Sequence, residues 1–166
     1  MQFPGCLAVC FALWLRLGLS CPGLLLCRSC GHELAEDTDL SFVPSRMALS
    51  HRNDTVIGGK RVSVQLFENP HGFQFEVVTF RRADVLKHWP ADRHFSWYPG
   101  HSWTAATCPR CKTHLGWAFQ PSDWPRTVTR EEFEGSDQTF VALILDRLLQ
   151  EHFASTLLIT PKSFRS

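Results

Sequence analysis

Neither sign of charge dominates this chain. Its 17 lysines and arginines are scattered among 16 acids, leaving a net charge of +1, so the basic footprint of a nucleic-acid binder is missing. No internal repeat or low-complexity tract appears, and a fibrous or disordered chain is set aside. Acid/base and nucleophile constellations are absent too. His32, His51, His88, His94, His101, His114 and His152 are dispersed through stretches that read as loops, with surface or turn roles, and no cysteine follows Cys111. With 44 % hydrophobic residues among 166, what remains is one compact domain with an ordinary core.

From Met1 to Leu26 the only charged side chain is Arg16, and the run "CLAVCFALWL" has the length of a secretory signal core. Gly18 and Ser20 are small residues two apart, so residues 1–20 are expected to leave as a signal peptide, cut after Ser20 or a few residues later. An uncleaved membrane anchor is the competing reading, because apolar character resumes beyond Arg16, but Pro22 and Gly23 weaken such a helix. Asn53, Asp54 and Thr55 form an N-x-T sequon. Beside the leader it predicts a secreted protein glycosylated at Asn53, with no membrane attachment after cleavage.

Residues 24–160 read as a single domain, mainly β. "RVSVQLFENPHGFQFEVVTF" alternates apolar and polar residues on both sides of Asn69, Pro70, His71 and Gly72, which predicts a hairpin. The stretch after the first cysteine pair, through Asp39, reads as loop, and "RRADVLKHWPADRH" as a loop with a short helical turn ended by Pro90. "SWTAATC" and "HLGWAF" are strands. In the last segment "FVALIL" suits a buried strand, and Leu145, Leu148, Leu149 and His152 at helical spacing predict a short C-terminal helix after it.

Of seven cysteines, Cys6 and Cys10 belong to the leader and Cys21 sits at the expected cut, leaving Cys27 with Cys30 and Cys108 with Cys111. Two C-x-x-C knuckles can complete a tetrahedral four-thiolate zinc shell with no vacant position for water, so the metal is structural. Gly31, and Pro109 inside the second knuckle, suit the turns. Disulfides are the alternative in an oxidising compartment, and pairing within a C-x-x-C would bring redox chemistry instead.

Beside the second knuckle the aromatic residues crowd. Trp117 and Phe119 share one face of a strand, and Trp97 and Trp103 flank "YPGHS", where Pro99 and Gly100 turn the chain and let the two indoles approach. Any one of these residues suits an ordinary core. Three indoles together can also wall a slot for one flat ligand.

"NPHG" before a strand, "SWYPGHSWTAATCPRCKTHLGWAF" and the later "DQTFVAL" resemble the ligand-binding domain of the cereblon family, the thalidomide-binding or CULT domain, over about residues 27 to 145. The resemblance implies two antiparallel sheets packed at a steep angle, a β-tent-like fold pinned by a structural zinc on Cys27, Cys30, Cys108 and Cys111. It implies a pocket for a small cyclic imide or pyrimidine-like ring, with Trp97, Trp103 and Trp117 as the cage, Phe119 as its floor, and Asn69, Pro70 and His71 at its border. Ser96 matches as well, whereas Phe95 replaces the family's histidine. The family bonds the imide through the backbone at that position and at the first cage tryptophan, a contact that survives the change; the histidine side-chain bond does not.

The implied protein is a noncatalytic, secreted binding module. One alternative is an interaction module that reads cyclic imides on modified polypeptides. Another is an oxidoreductase like the B-type methionine sulfoxide reductases, which share a zinc-bearing β fold but need a nucleophilic cysteine beyond the second knuckle; only Cys21 could stand in. Ubiquitin-ligase assembly is not expected, since the chain has no room for cereblon's N-terminal domain and a secreted protein would not meet a cytosolic adaptor.

Overall fold

The computed structural model describes residues 23–151. The expected leader with Cys6 and Cys10, Cys21 at the expected cut, and residues 152–160 of the expected domain, with His152, lie outside them. Among the described residues no helix is long and apolar enough to cross a membrane. The strands are β1 Leu24–Cys27, β2 Glu33–Glu36, β3 Ser50–Ile57, β4 Lys60–Glu68, β5 Gln74–Phe80, β6 Leu86–Lys87, β7 His101–Thr107, β8 His114–Pro121, β9 Phe140–Ile144 and β10 Leu148–Gln150. They form a three-stranded sheet in the order β10-β1-β2 and a seven-stranded sheet in the order β3-β4-β5-β9-β8-β7-β6. Every pairing is antiparallel.

Two apolar clusters lie on opposite faces of the large sheet. Val78, Phe80, Ala118, Val141 and Leu143 join the cluster that contains Cys27 and Cys108. Their alternate neighbours Val77, Phe119, Phe140, Ala142 and Ile144 join the cluster on which Trp97, Trp103 and Trp117 pack. Alternation of side chains along a strand sends consecutive residues to the two sides. This explains why β9 is apolar at every position and buried throughout.

The hairpin expected around Asn69–Gly72 forms between β4 and β5, and Asn69 organises its turn. Its side-chain oxygen accepts from the N–H groups of His71 and Phe73, at 3.0 and 2.9 Å. On β8, Gly116 has φ 151°, and a Cβ there would come 2.1 Å from the Ala142 carbonyl. The close approach of β8 to β9 therefore requires glycine at this point.

The helical spacing read over Leu145, Leu148 and Leu149 gives way to other structure, while Glu151 is helical and the rest of the expected short C-terminal helix, with His152, lies outside the described residues. Leu145–Arg147 makes one 3₁₀ turn and Leu148–Gln150 is strand β10. Cys27 pairs with Leu148 across β1 and β10, and Leu148 is buried in the metal-side cluster. The ladder to β1 and this burial override the helical propensity of the segment. Two loop readings change as well. Glu33–Glu36 is strand β2 with Leu34 and Ala35 inward, and the stretch before Pro90 holds the short strand β6 and no helical turn. His51 and His101, read as loop residues, lie on strands, and His114 begins the expected strand "HLGWAF" as β8. A helix missing from the sequence reading, α1 at Arg130–Glu134, starts with a reciprocal capping box between Thr129 and Glu132 and buries Phe133.

Candidate binding site and metal centre

Each cysteine knuckle is built the same way. The Cys27 N–H donates to the His32 carbonyl at 2.8 Å, and the Cys108 N–H to the Thr113 carbonyl at 2.9 Å. Gly31 and Lys112 donate back to the Cys27 and Cys108 carbonyls at 2.8 and 3.0 Å, both in the left-handed region with φ 72° and 62°. Lys112 therefore takes in the second knuckle the place that glycine takes in the first, while Pro109 holds no such position.

The four sulfurs lie within 4.8 Å of one another. Cys27 to Cys111 is 3.7 Å and Cys30 to Cys108 is 3.6 Å. A tetrahedron with zinc–sulfur bonds of about 2.3 Å has edges of about 3.8 Å, whereas a disulfide needs about 2.05 Å. The spacing fits a metal ion and does not fit the alternative cross-links. Burial pushes the Cys27 thiol up to about 12, while hydrogen bonding from Thr113 pulls the Cys111 thiol down to about 6. A divalent cation shared by them would hold all four as thiolates. Cys27, Cys30, Cys108 and Cys111 are thus positioned for a metal ion, consistent with a structural zinc.

On the other face of the sheet is a cavity of about 420 Å³. Asn69, Pro70 and His71 line it from the β4–β5 turn, Phe95 and Trp97 from the segment before β7, Trp103 from β7, and Trp117 and Phe119 from β8. Ser96, also expected at the pocket, does not line it. Its hydroxyl is engaged with the Tyr98 main chain, donating to the carbonyl at 3.2 Å and accepting from the N–H at 3.3 Å.

The indoles are fixed from outside the cavity. Trp97 Nε1 donates to the Glu68 carbonyl at 3.0 Å and Trp103 Nε1 to the His94 carbonyl at 2.9 Å. With those N–H groups committed, the two rings offer a ligand their apolar faces. The nearest indole to Trp97 is Trp117, edge-on at 4.5 Å, rather than the expected Trp103. Phe67 stacks behind Trp97 at 4.9 Å, and Phe75 touches both Trp97 and Trp117, at 5.9 and 5.1 Å. The His114 ring lies edge-on to Trp117 at 4.7 Å, and burial lowers its pKa. Phe119 is stacked on Phe140 at 5.1 Å, beneath the cage.

Sequence reasoning missed the polar network behind the cage. Ser45 donates its hydroxyl to the Trp97 carbonyl and accepts there from the Met47 N–H. The Ser45 N–H donates to Gln65 Oε1 at 2.8 Å, and Gln65 Nε2 donates to the Val43 carbonyl at 2.9 Å and to the Tyr98 hydroxyl at 3.1 Å. Ser45, Gln65 and Tyr98 are all buried, so these bonds work in a medium that magnifies them. Among the described residues the Phe95 carbonyl and the Trp97 N–H take part in no hydrogen bond. One acceptor and one donor are thus left two residues apart at the cavity's edge. Phe95 itself has φ 56° and is 78 % exposed. For a bulky residue that backbone costs about 1–3 kcal/mol.

No family model matches the chain. Among curated proteins it is similar to protein cereblon of Danio rerio, 42 % identical over 55 residues, which are 32 % of this chain and 12 % of that protein. It is 36 % identical to protein cereblon of Gallus gallus over 85 residues, 50 % of this chain and 17 % of the relative. With protein cereblon of Drosophila erecta it shares 31 % over 111 residues, 62 % of the chain and 16 % of the relative. The chain therefore spans less than one fifth of the length of these relatives.

Proposed function

From the cereblon-like, CULT-type domain that this similarity and the zinc-type cluster support, we propose a noncatalytic binding module whose tri-tryptophan cage captures a small cyclic imide or pyrimidine-like ring. The observation that carries the reading is the cavity walled by Trp97, Trp103 and Trp117, with an unengaged backbone acceptor at Phe95 and donor at Trp97. An imide presents an N–H beside carbonyl oxygens, and these two backbone groups are its complement. All four described cysteines sit in the metal cluster and none lines the cavity, which favours binding over redox chemistry. About eight ligand heavy atoms at roughly 0.6–1 kcal/mol each correspond to micromolar affinity.

Quenching of tryptophan fluorescence measures this. Glutarimide or uridine is expected to quench with half-saturation at roughly 10–100 µM, and Trp117→Ala to abolish the response. No response of the unmodified protein at millimolar ligand overturns the reading. Peptides ending in a cyclic imide, titrated beside free glutarimide, separate capture of a small molecule from the reading of modified polypeptides.

The same proposal places the protein outside the cell, with residues 1–20 removed and no ubiquitin-ligase assembly. Asn53 supports it: the residue is exposed on the edge strand β3, at a bulge where the register to β4 shifts. Secretory-cell expression is expected to yield protein in the medium that loses mass on N-glycosidase treatment and does not in Asn53→Gln. Retention in the cytosol would refute this part.

A further inference from the structure

A second cavity, of about 330 Å³, shares no lining residue with the tryptophan cage. Residues 91–94 line it from the segment before β7, Ser102 from β7 itself, and Ser122, Trp124 and Arg126 from the loop after β8. The backbone ties these stretches together. The Ala91 N–H donates to the Arg126 carbonyl at 2.6 Å, and Asp92 exchanges both of its backbone bonds with Trp103, at 2.8 and 2.7 Å.

The floor of this cavity is polar and unsatisfied. Ser102 is 6 % exposed, and among the described residues its hydroxyl has no hydrogen-bond partner. Gln120 stands opposite it in the β7–β8 register. Its Nε2 donates to the Pro125 carbonyl at 2.7 Å, holding the loop that carries Trp124 and Arg126, but its Oε1 is buried without a partner. Orphaned buried polar groups cost about 1–3 kcal/mol each, so two neighbours left bare point to a partner supplied from outside the chain.

The walls give that partner a chemistry. Arg126 is fixed through Nε, which donates to the Ala91 carbonyl at 2.9 Å. Its two terminal nitrogens form no ion pair among the described residues, and Arg93 forms none either. A guanidinium held in this way presents the planar fork that a carboxylate matches. Asp92 has Oδ1 engaged by the His94 N–H at 2.9 Å and ring Nδ1 at 2.7 Å, which leaves Oδ2 as a bare acceptor. The ligand must therefore bring acid oxygens for the arginines and an O–H for Asp92. Trp124, half-buried against the core, adds an apolar wall. An apolar cavity of about 150 Å³ is enough for benzene, so about 330 Å³ holds a six-membered ring together with its substituents.

We propose that this cavity is a second binding site, for a sugar acid: a hydroxylated ring whose carboxylate pairs with Arg126 and Arg93, whose hydroxyls engage Ser102 and Asp92, and whose carbon face lies on Trp124. A neutral sugar leaves the guanidiniums unused, and a simple carboxylate leaves Ser102 and Asp92 unused. The site stands independently of imide binding in the cage.

Heteronuclear NMR titration of the purified protein with glucuronate, glucose and acetate tests it. Glucuronate is expected to half-saturate below about 1 mM, and glucose and acetate to bind at least about tenfold more weakly. Arg93→Gln, at an exposed position, is expected to weaken glucuronate about tenfold without altering the thermal midpoint. Ser102→Ala removes a buried hydroxyl that has no partner, so it should melt at or above the wild-type temperature while losing at least about fivefold in glucuronate affinity. A disaccharide ending in glucuronate, titrated in parallel, tells the sources apart: tighter binding than the free acid assigns a glycan terminus, and equal or weaker binding assigns the free sugar acid. No saturable shift with glucuronate up to about 10 mM, equally tight binding of glucose or acetate, or unchanged affinity in both variants overturns the proposal. So does a Ser102→Ala protein that melts lower, because the hydroxyl then serves the fold.

Discussion

The hydroxyl of Ser45 lies behind the cage, donating to the Trp97 carbonyl and accepting from the Met47 N–H. Ser45→Ala would leave both part-buried groups without this partner, at a cost of about 1 kcal/mol in chemical denaturation. It would also free the peptide that orients Trp97, and the expected loss of imide affinity is about tenfold. Unchanged stability in this variant would show that the network is slack. The indoles of this site were readable in the sequence because a chain seldom gathers three tryptophans without a use for them. Ser45 was not, since it meets Trp97 across 52 residues and nothing local marks a serine for that role. Gln65 left a faint trace, a polar residue two positions before Phe67 on a strand whose neighbours are apolar.

The seam between β8 and β9 leaves no room for a side chain at one point. Gly116 pairs opposite Leu143 there, and a methyl group at Gly116 would collide with the Ala142 carbonyl. Gly116→Ala is expected to destabilise by about 3 kcal/mol or more. Since Trp117 is the next residue, the variant should also lose ligand response in whatever fraction remains folded. A thermal midpoint within 2 °C of wild type, roughly the shift of a few tenths of a kcal/mol, would contradict the packing. At this scale period-2 alternation made β4, β5, β7 and β8 legible. The short strands β1, β2 and β10 were not, because each is specified by its ladder partners and by a few inward residues, as Leu148 is. Helix α1 did carry a readable mark in the Thr129-x-x-Glu132 capping box, but at five residues it has no period to accompany it.

The metal cluster ties the small sheet to the large one through knuckles 78 residues apart. Closing so long a loop is work that an ion performs well, so its removal should be felt by the whole domain. Chelation, or Cys108→Ser, is expected to abolish the stoichiometric metal measured by elemental analysis and to collapse the cooperative thermal transition. A chelated protein that melts as before would exclude a structural ion. The cysteine spacing made this centre legible, and the number of residues between the knuckles gave no hint of the wall that runs beside it. That wall is made by β5, β8 and β9, whose consecutive residues face the two clusters in turn. Ion and imide would then be tenants of one partition, and their occupancies reciprocal: a ring that tightens the strands from one side slows the stripping of metal from the other, and at equilibrium each strengthens the other's hold by the same factor.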